Sequence, residues 1–140
     1  MNIKIKKLDP KAVIPKKAHD IDSGYDFTAT SVKFEDGKYI YGTGIAVSIP
    51  VGYTGLLFMR SSVRKTSLIL ANAVGIIDPG YYGEVMFTFR DMSNLNGSFY
   101  RLGDRIGQLI IVKTEDIQWE EVDSFEDSER GDKGHGSTGW

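Results

Sequence analysis

The chain has 140 residues, of which 41% are hydrophobic and 26% charged, so its length and composition predict one globular domain spanning residues 1–140. A formal net charge of −2 leaves no basic field for broad nucleic-acid binding, and the absence of cysteine excludes disulfides and thiolate metal sites. Two histidines are too few for a histidine-rich zinc site, and no apolar run has the length of a membrane span or the form of a signal peptide, so we expect a cytoplasmic protein.

Short apolar segments separated by turn residues recur along the chain and predict strands almost throughout. The clearest local signal is Asp36-Gly37, which lies between two alternating segments and is typical of a tight β-hairpin. No window of helical length carries an apolar stripe with a period of 3.6 residues. The predicted strands lie, in chain order, at 3–5, 32–34, 39–41, 45–49, 56–59, 68–71, 85–89 and 109–112.

Three of these segments, 56–59, 68–71 and 109–112, are continuous apolar runs, which predicts burial on both faces of the strand. Residues 62–65 allow one turn of helix, and Asn96-Gly97 predicts a further turn. Many short strands with regular glycine, proline and asparagine between them indicate an all-β sandwich, jelly roll or barrel.

Residues 75–84 place one carboxylate, that of Asp78, between an apolar run and a turn. Pro79 fixes one φ angle of that turn, and Gly80 supplies the backbone freedom that a tight reversal needs. A carboxylate aimed by the strand before it can act as a general base. The same dipeptides are also ordinary surface-turn signals, so the residues alone leave both interpretations open.

Two further clusters offer groups suited to phosphate chemistry. Residues 60–62 (Arg-Ser-Ser) present a guanidinium and two hydroxyls at the end of a predicted strand, where they could bind phosphate oxygens. Asp22 and Asp26 lie in a glycine-containing loop, and their oxygens could hold Mg²⁺ directly or through its waters. Each cluster is also compatible with a simple solvated turn. A polar turn at 103–109 leads into the last predicted strand.

Residues 130–139 are rich in glycine and carry Arg130, Lys133 and two hydroxyls. Backbone N–H groups exposed by glycine, together with these cations, could surround phosphate oxygens. The spacing is not that of a P-loop, because Ser137 stands where that motif has lysine. A frayed chain end is the competing interpretation of this segment.

Taken in order, these segments resemble the five sequence motifs of the homotrimeric dUTPase family. Each motif is weak alone, but five in order on an all-β chain of suitable length are specific. Together the five segments run from residue 22 to residue 139 of 140. The five segments are 22–27, 60–62, 72–84, 103–109 and 130–139.

The resemblance implies a jelly-roll-like β-barrel with a flexible glycine-rich C-terminal arm, at about residues 127–140. It implies a homotrimer in which active sites lie at subunit interfaces and the arm is exchanged between subunits. It further implies a dUTP diphosphatase that uses Mg²⁺ and converts dUTP to dUMP and pyrophosphate. Such an enzyme limits uracil incorporation into DNA and supplies dUMP for thymidylate synthesis.

The resemblance also assigns roles to residues. Asp78 would activate the water that attacks the α-phosphorus, and Tyr81 would pack under the deoxyribose and exclude a 2′-hydroxyl. Asn72 and the hairpin backbone after it would read the uracil edge, and Asp26 would support Mg²⁺ through water. The other implied site residues are Arg60, Ser61, Ser62 and Gln108 at the phosphates or the attacking water, Gly75 and Ile77 in the uracil hairpin, and Arg130, His135, Gly136, Ser137 and Thr138 in the arm.

Two departures and two alternatives belong with this resemblance. Gly80 often corresponds to an aspartate in the family, and His135 stands where the family has a phenylalanine or tyrosine that stacks on uracil. A dCTP deaminase, or a bifunctional deaminase and dUTPase, has the same fold, but it carries a glutamate base where this chain has Thr88 and an arginine where this chain has Lys65. A non-catalytic nucleotide-binding trimer would share every binding residue, and the presence of Asp78 argues against it.

Overall fold

The computed structural model describes residues 1–93, 97–128 and 131–132. Within these residues the chain forms ten strands and one short 3-10 helix, which confirms the predicted all-β class. The strands are β1 (Lys4–Lys7), β2 (Tyr25–Thr28), β3 (Ser31–Glu35), β4 (Lys38–Gly42), β5 (Ile45–Ser48), β6 (Tyr53–Met59), β7 (Leu68–Leu70), β8 (Gly75–Ile77), β9 (Met86–Asp91) and β10 (Arg105–Lys113), and the 3-10 helix is Ser61–Lys65.

The strands form two four-stranded antiparallel sheets and one two-stranded sheet, in a jelly-roll-like arrangement. The first large sheet has the order β2-β10-β6-β8, and the second has the order β3-β4-β9-β7. Strands β1 and β5 pair with each other in the small sheet. Apart from β3 and β4, neighbouring strands in the large sheets are not consecutive in the chain, so the ends of several separate segments come together at each edge.

The hairpin predicted at Asp36-Gly37 is confirmed. It joins β3 to β4, and both of its central residues have positive φ, 50° at Asp36 and 72° at Gly37. Positive φ at both positions is what a two-residue type I′ turn requires. Glycine carries no Cβ penalty there, and aspartate is among the residues that tolerate the left-handed region.

The core lies where the two large sheets face each other. The rings of Phe27 on β2 and Phe87 on β9 lie 6.1 Å apart, and both side chains are fully buried. Gly107 on β10 lies directly under the Phe87 ring, and a side chain at this position would collide with it. Tyr41 and Phe89 extend the same core with an edge-to-face contact at 5.7 Å. Aromatic side chains from both sheets therefore hold the sheets together.

The prediction of burial on both faces is wrong, within the single chain, for two of the three apolar runs, 68–71 and 109–112. On β7, Leu68 and Leu70 are buried, but Ile69 between them is 42% exposed. On β10, Leu109 is buried, and Val112 is 37% exposed. The inner face of each strand packs on the core, and the described residues do not cover the outer face. By contrast, the predicted alternation over 85–89 is confirmed, with Met86 facing out from β9.

After β10 the chain leaves the sheets. Residues 114–128 form neither strand nor helix, and Trp119 and Phe125 are each 91% exposed. In the part of the chain that the structure describes, no helix is long and apolar enough to cross a membrane. The predicted Asn96-Gly97 turn falls partly on residues outside that description, as does most of the predicted C-terminal arm.

Candidate active site

Asp78 lies at the end of β8, at the start of a well-defined turn. The Tyr81 N–H donates to the Asp78 carbonyl (3.2 Å), Pro79 takes the second position of the turn, and Gly80 has φ 87°. These are the features of a type II turn, which requires positive φ at its third residue. The preceding residue, Ile77, is buried in the core, and Asp78 itself is exposed. The strand therefore anchors the turn while the carboxylate stays open to solvent.

A cleft of 270 Å³ opens beside this turn, and we call it the Asp78 cleft. The Tyr81 hydroxyl donates to the Glu84 carbonyl (3.0 Å), and one Glu84 carboxylate oxygen accepts the Gly44 N–H (2.7 Å). These two bonds fix the tyrosine ring against its own hairpin. The predicted site residues that line the cleft are Asn72, Gly75, Ile77, Asp78 and Tyr81, and its other lining residues are Leu57, Ile76, Glu84, Met86 and Thr88.

Asn72 lies at the crossing from β7 to β8, where the backbone is unusual. Ala73 has φ 57°, in the left-handed region that a residue with a side chain rarely adopts. The Val74 N–H donates to the Asn72 carbonyl (2.5 Å), which closes a three-residue turn around Ala73. Such strained positions persist where surrounding contacts hold them, and they occur often at ligand sites. The turn sets the Asn72 amide beside Gly75 at the rim of the cleft.

A second cleft, of 250 Å³, lies at the other end of β6, and we call it the Arg60 cleft. The Gln108 side-chain amide donates to the Met59 carbonyl (3.0 Å), which places Gln108 beside Arg60. Gly24 packs against the Gln108 amide so closely that a Cβ at this position would collide with it. The predicted site residues that line this cleft are Asp26, Arg60, Ser61 and Gln108, and Ala18, Asp22, Ser23 and Gly24 complete it.

The Asp26 carboxylate joins two guanidinium groups. Arg60 Nε donates to Asp26 Oδ1 (2.6 Å), and one terminal nitrogen of Arg105 donates to Asp26 Oδ2 (3.0 Å). The Asp26 side chain is 9% exposed and the Arg60 side chain is 19% exposed, so the inner pair is largely shielded from water. Charge-assisted bonds of this kind are strong when both partners are shielded. The first partners of Asp26 are therefore cations of the protein itself.

Ser62 holds Arg60 from the other side. One Arg60 terminal nitrogen donates to the Ser62 hydroxyl (3.2 Å), which lies 3.3 Å from the Tyr100 hydroxyl. Burial raises the pKa of the Tyr100 phenol, and the Ser62 hydrogen bond and the Arg60 charge partly oppose that rise. The phenol is thus neutral at physiological pH and can donate to Ser62. Tyr100 was not among the predicted site residues, because its chain position shows only an aromatic pair after a turn.

Arg105 was also not assigned a role from sequence, although it lies within the segment 103–109. Its position depends on a β-bulge. Arg105 lies opposite Thr28 and Gly107 lies opposite Phe27, so β10 advances by two residues where β2 advances by one. Residues three apart on a regular strand face opposite sides of the sheet. The bulge shifts this alternation, so that Arg105 and Gln108 both lie on the side of Asp26.

The predicted site residues therefore fall into two groups within one chain. Among the described residues, the Asp78 cleft and the Arg60 cleft share no lining residue. Ile77 pairs with Gly55 near the start of β6, and Arg60 follows the end of that strand. Five residues of extended chain separate Gly55 from Arg60, about 17 Å at ~3.3 Å per residue. Asp78 follows Ile77 and lies beyond that span, so it is well separated from Arg60 in the same chain.

The other predicted site residues, Arg130, His135, Gly136, Ser137 and Thr138, lie outside the described part of the chain.

Comparison with known proteins gives consistent matches. A family model described as dUTPase matches residues 10–139. A deoxyuridine 5′-triphosphate nucleotidohydrolase from Rhodococcus erythropolis is 40% identical, over 99% of this chain and 87% of that protein. One of the same name from Corynebacterium glutamicum is 41% identical, over 98% of this chain and 94% of that protein.

Solved structures match as well. The dUTPase of Staphylococcus bacteriophage 80alpha, solved with dUpNHpp, has a TM-score of 0.84 and 32% identity and covers 99% of both chains. A mutant dUTPase from phage phi11 of S. aureus, described with a coordinated structural Mg(II) ion, has a TM-score of 0.75 and 28% identity, over 91% of this chain and 100% of that chain.

Proposed function

The chain belongs to the dUTPase family and is a hydrolase acting on dUTP, and we propose that Asp78 is its general base. The observation that carries the proposal is the type II turn, which holds an exposed carboxylate at the rim of a cleft that also contains Asn72 and Tyr81. The physiological roles that go with this activity are removal of dUTP before DNA synthesis and supply of dUMP. The cytoplasmic location expected from the sequence stays a prediction.

The proposed reaction is an in-line displacement at the α-phosphorus. Asp78 accepts a proton from a water as the water oxygen forms a bond to phosphorus. The bond from the α-phosphorus to the bridging oxygen breaks, and pyrophosphate leaves with that oxygen and its electron pair. Chemistry of this type depends on positioning and charge neutralisation more than on a covalent nucleophile. Arg60, Ser61 and Gln108 supply donors for the phosphate oxygens and the attacking water.

We place Mg²⁺ on the substrate and not on a cage of protein ligands. In the described residues no group of three or more metal-binding side chains occurs. Both Asp26 oxygens accept from guanidinium groups, which does not fit direct coordination, yet each oxygen keeps a lone pair that can accept from a metal-bound water. Together with Asp22 in the same cleft, Asp26 therefore fits an outer role. When bound, Mg²⁺ would neutralise triphosphate charge.

We further propose that the working enzyme is a homotrimer whose sites combine two clefts from different subunits. The separation of Asp78 from Arg60 supports this, because within the described residues neither cleft contains Asp78 together with the donors of Arg60, Ser61 and Gln108. The exposed outer faces of β7 and β10 supply apolar surface for contact between subunits. In the segment after β10, the exposed Trp119 and Phe125 favour docking of the C-terminal arm on another subunit. Arg130, Ser137 and Thr138 would then reach a neighbour's triphosphate, and His135 would lie over the uracil.

Thr88 bears on the deaminase alternative, because it lines the same cleft as Asp78. A threonine hydroxyl cannot take a proton from water as the deaminase glutamate does. The testing experiment is incubation with dUTP, dTTP, dCTP and UTP plus Mg²⁺, with pyrophosphate and ammonia measured separately. Pyrophosphate from dUTP, with little from the other three and no ammonia from dCTP, is expected. Ammonia from dCTP would support the deaminase, and no turnover of any nucleotide would support the non-catalytic trimer.

Replacing Tyr81 is expected to weaken discrimination against ribonucleotides. Tyr81→Ala removes the ring that is fixed against the hairpin by Glu84, and it opens space for a 2′-hydroxyl. The ratio of kcat/KM for dUTP to that for UTP should fall by roughly tenfold or more. Tyr81→Phe keeps the ring and loses only its hydroxyl, so it should keep most of the discrimination. An unchanged ratio in Tyr81→Ala would show that the ring does not contact the sugar.

A further inference from the structure

Arg105 is the outer member of a three-residue charge cluster with Asp26 and Arg60. Its contact with Asp26 Oδ2 is 3.0 Å, and the opposite oxygen holds Arg60 Nε at 2.6 Å. The Arg105 side chain is 52% exposed, so it contributes little apolar burial to the fold. The carboxylate between them is almost completely buried, and it has one cation on each oxygen. A carboxylate held at both oxygens cannot rotate freely about its terminal bond.

The orientation of Arg60 depends on that carboxylate. A guanidinium has five N–H donors in a rigid plane, and here Asp26 and Ser62 accept from two of its nitrogens. The direction of the remaining Arg60 N–H donors is set by these two hydrogen bonds, because they fix the plane of the guanidinium. The Ser62 hydroxyl lies 3.3 Å from the Tyr100 hydroxyl, so this side of Arg60 rests on a buried tyrosine. On the Asp26 side of Arg60, the carboxylate is held in turn by the hydrogen bond from Arg105 to Asp26 Oδ2.

We propose that Arg105 is a positioning residue for phosphate binding: it fixes the Asp26 carboxylate and thereby the plane of the Arg60 guanidinium. The inference rests on the proposed function of the Arg60 cleft. Arg105 acts through Asp26 and does not contact the substrate. Its loss lets the carboxylate turn, and the free donors of Arg60 then spend less time aligned with the charge that develops on the phosphate oxygens. Because that alignment matters most in the transition state, the loss appears mainly in kcat.

The first test compares Arg105→Ala with Arg105→Lys and with the control Arg101→Ala. Arg101 is an exposed arginine four residues earlier, and its side chain makes no ion pair among the described residues. Arg105→Ala should lower kcat for dUTP by about tenfold, with KM changed by less than about threefold and Tm nearly unchanged. Arg105→Lys keeps a cation that can reach Asp26 and should recover part of the loss. Arg101→Ala should match the wild type.

The second test is a double-mutant cycle, which separates action through Asp26 from direct contact with substrate. In an Asp26→Asn background, adding Arg105→Ala should change kcat by no more than about twofold, because the intermediate group is already lost. If Asp26→Asn does not fold, the cycle is run in an Arg60→Lys background. That background has no guanidinium at residue 60 to orient, so the effect of Arg105→Ala on kcat should again be no more than about twofold.

Three results would overturn the inference. A full tenfold effect of Arg105→Ala in either background would mean that Arg105 contacts the substrate itself. A lower Tm with unchanged kcat would assign it a structural role alone, and a wild-type rate at wild-type Tm would assign it none. These outcomes are measured against a wild-type enzyme that cleaves dUTP. Failure of the wild type to do so would instead contradict the proposed function.

Discussion

Asp78→Asn is expected to lower kcat for dUTP by at least ~10², which is within the usual range for loss of a general base. Asparagine has nearly the same shape, so the type II turn and the cleft beside it should persist. The amide cannot accept a proton from water, and only the chemical step should suffer. The measurement is steady-state kcat together with the affinity for a non-hydrolysable dUTP analogue, which should stay close to that of the wild type.

The matched control is Asp36→Asn, another exposed turn aspartate replaced by its amide. Asp36 lies in the β3–β4 hairpin with φ 50°, a conformation that asparagine also tolerates. We expect wild-type activity from it. Near-normal turnover by Asp78→Asn would remove Asp78 from its proposed role, and loss of analogue binding would mean that the substitution damages the cleft and not the chemistry.

Arg60→Ala is expected to have an effect of similar size, from a different cause. The side chain is the cation at the centre of the Arg60 cleft, and removing it takes charge stabilisation from the transferring phosphoryl group. Loss of such a donor typically costs about 10²–10³ in kcat. Arg60→Lys keeps the charge but lacks the planar guanidinium that Asp26 and Ser62 hold, so it should recover only part of the lost kcat.

Tm must be measured for both Arg60 variants, because Arg60→Ala also removes one of the two cations that pair with Asp26 among the described residues. The control is Arg90→Ala, which removes an exposed arginine of β9 that lines neither cleft. A drop in kcat that followed Tm, with full activity at low temperature, would show that Arg60 stabilises the fold and does not serve the reaction.

Much of the fold could be predicted because local signals were strong. Asp36-Gly37 predicted a hairpin that the structure has, and the alternation over 85–89 predicted the faces of β9 correctly. The turn at Asp78 could also be predicted from local sequence, because Pro79 and Gly80 favour the backbone conformation that such a turn requires. The residues predicted around it come from one stretch of chain, and they line one cleft.

Other features depend on the way distant segments meet, and sequence patterns do not record this. The bulge between Arg105 and Gly107 reverses the alternation of β10, and it became visible only in the pairing with β2. The two guanidinium bonds of Asp26 join three separate segments, so its loop suggested a metal partner and not an arginine. The apolar runs of β7 and β10 predicted burial on both faces because composition does not show whether the covering surface lies in the same chain.

We propose that one active site takes its base from one subunit and its phosphate donors from another. The most direct measurement combines Asp78→Asn and Arg60→Ala chains, each nearly inactive alone, by co-expression or by refolding them together. In randomly mixed trimers roughly a quarter of the sites would join an intact Asp78 cleft to an intact Arg60 cleft, so activity should rise to about that share of the wild-type value. The same two proteins mixed without subunit exchange should stay inactive. If the co-assembled mixture is no more active than its parents, the active site is not shared between subunits in this way.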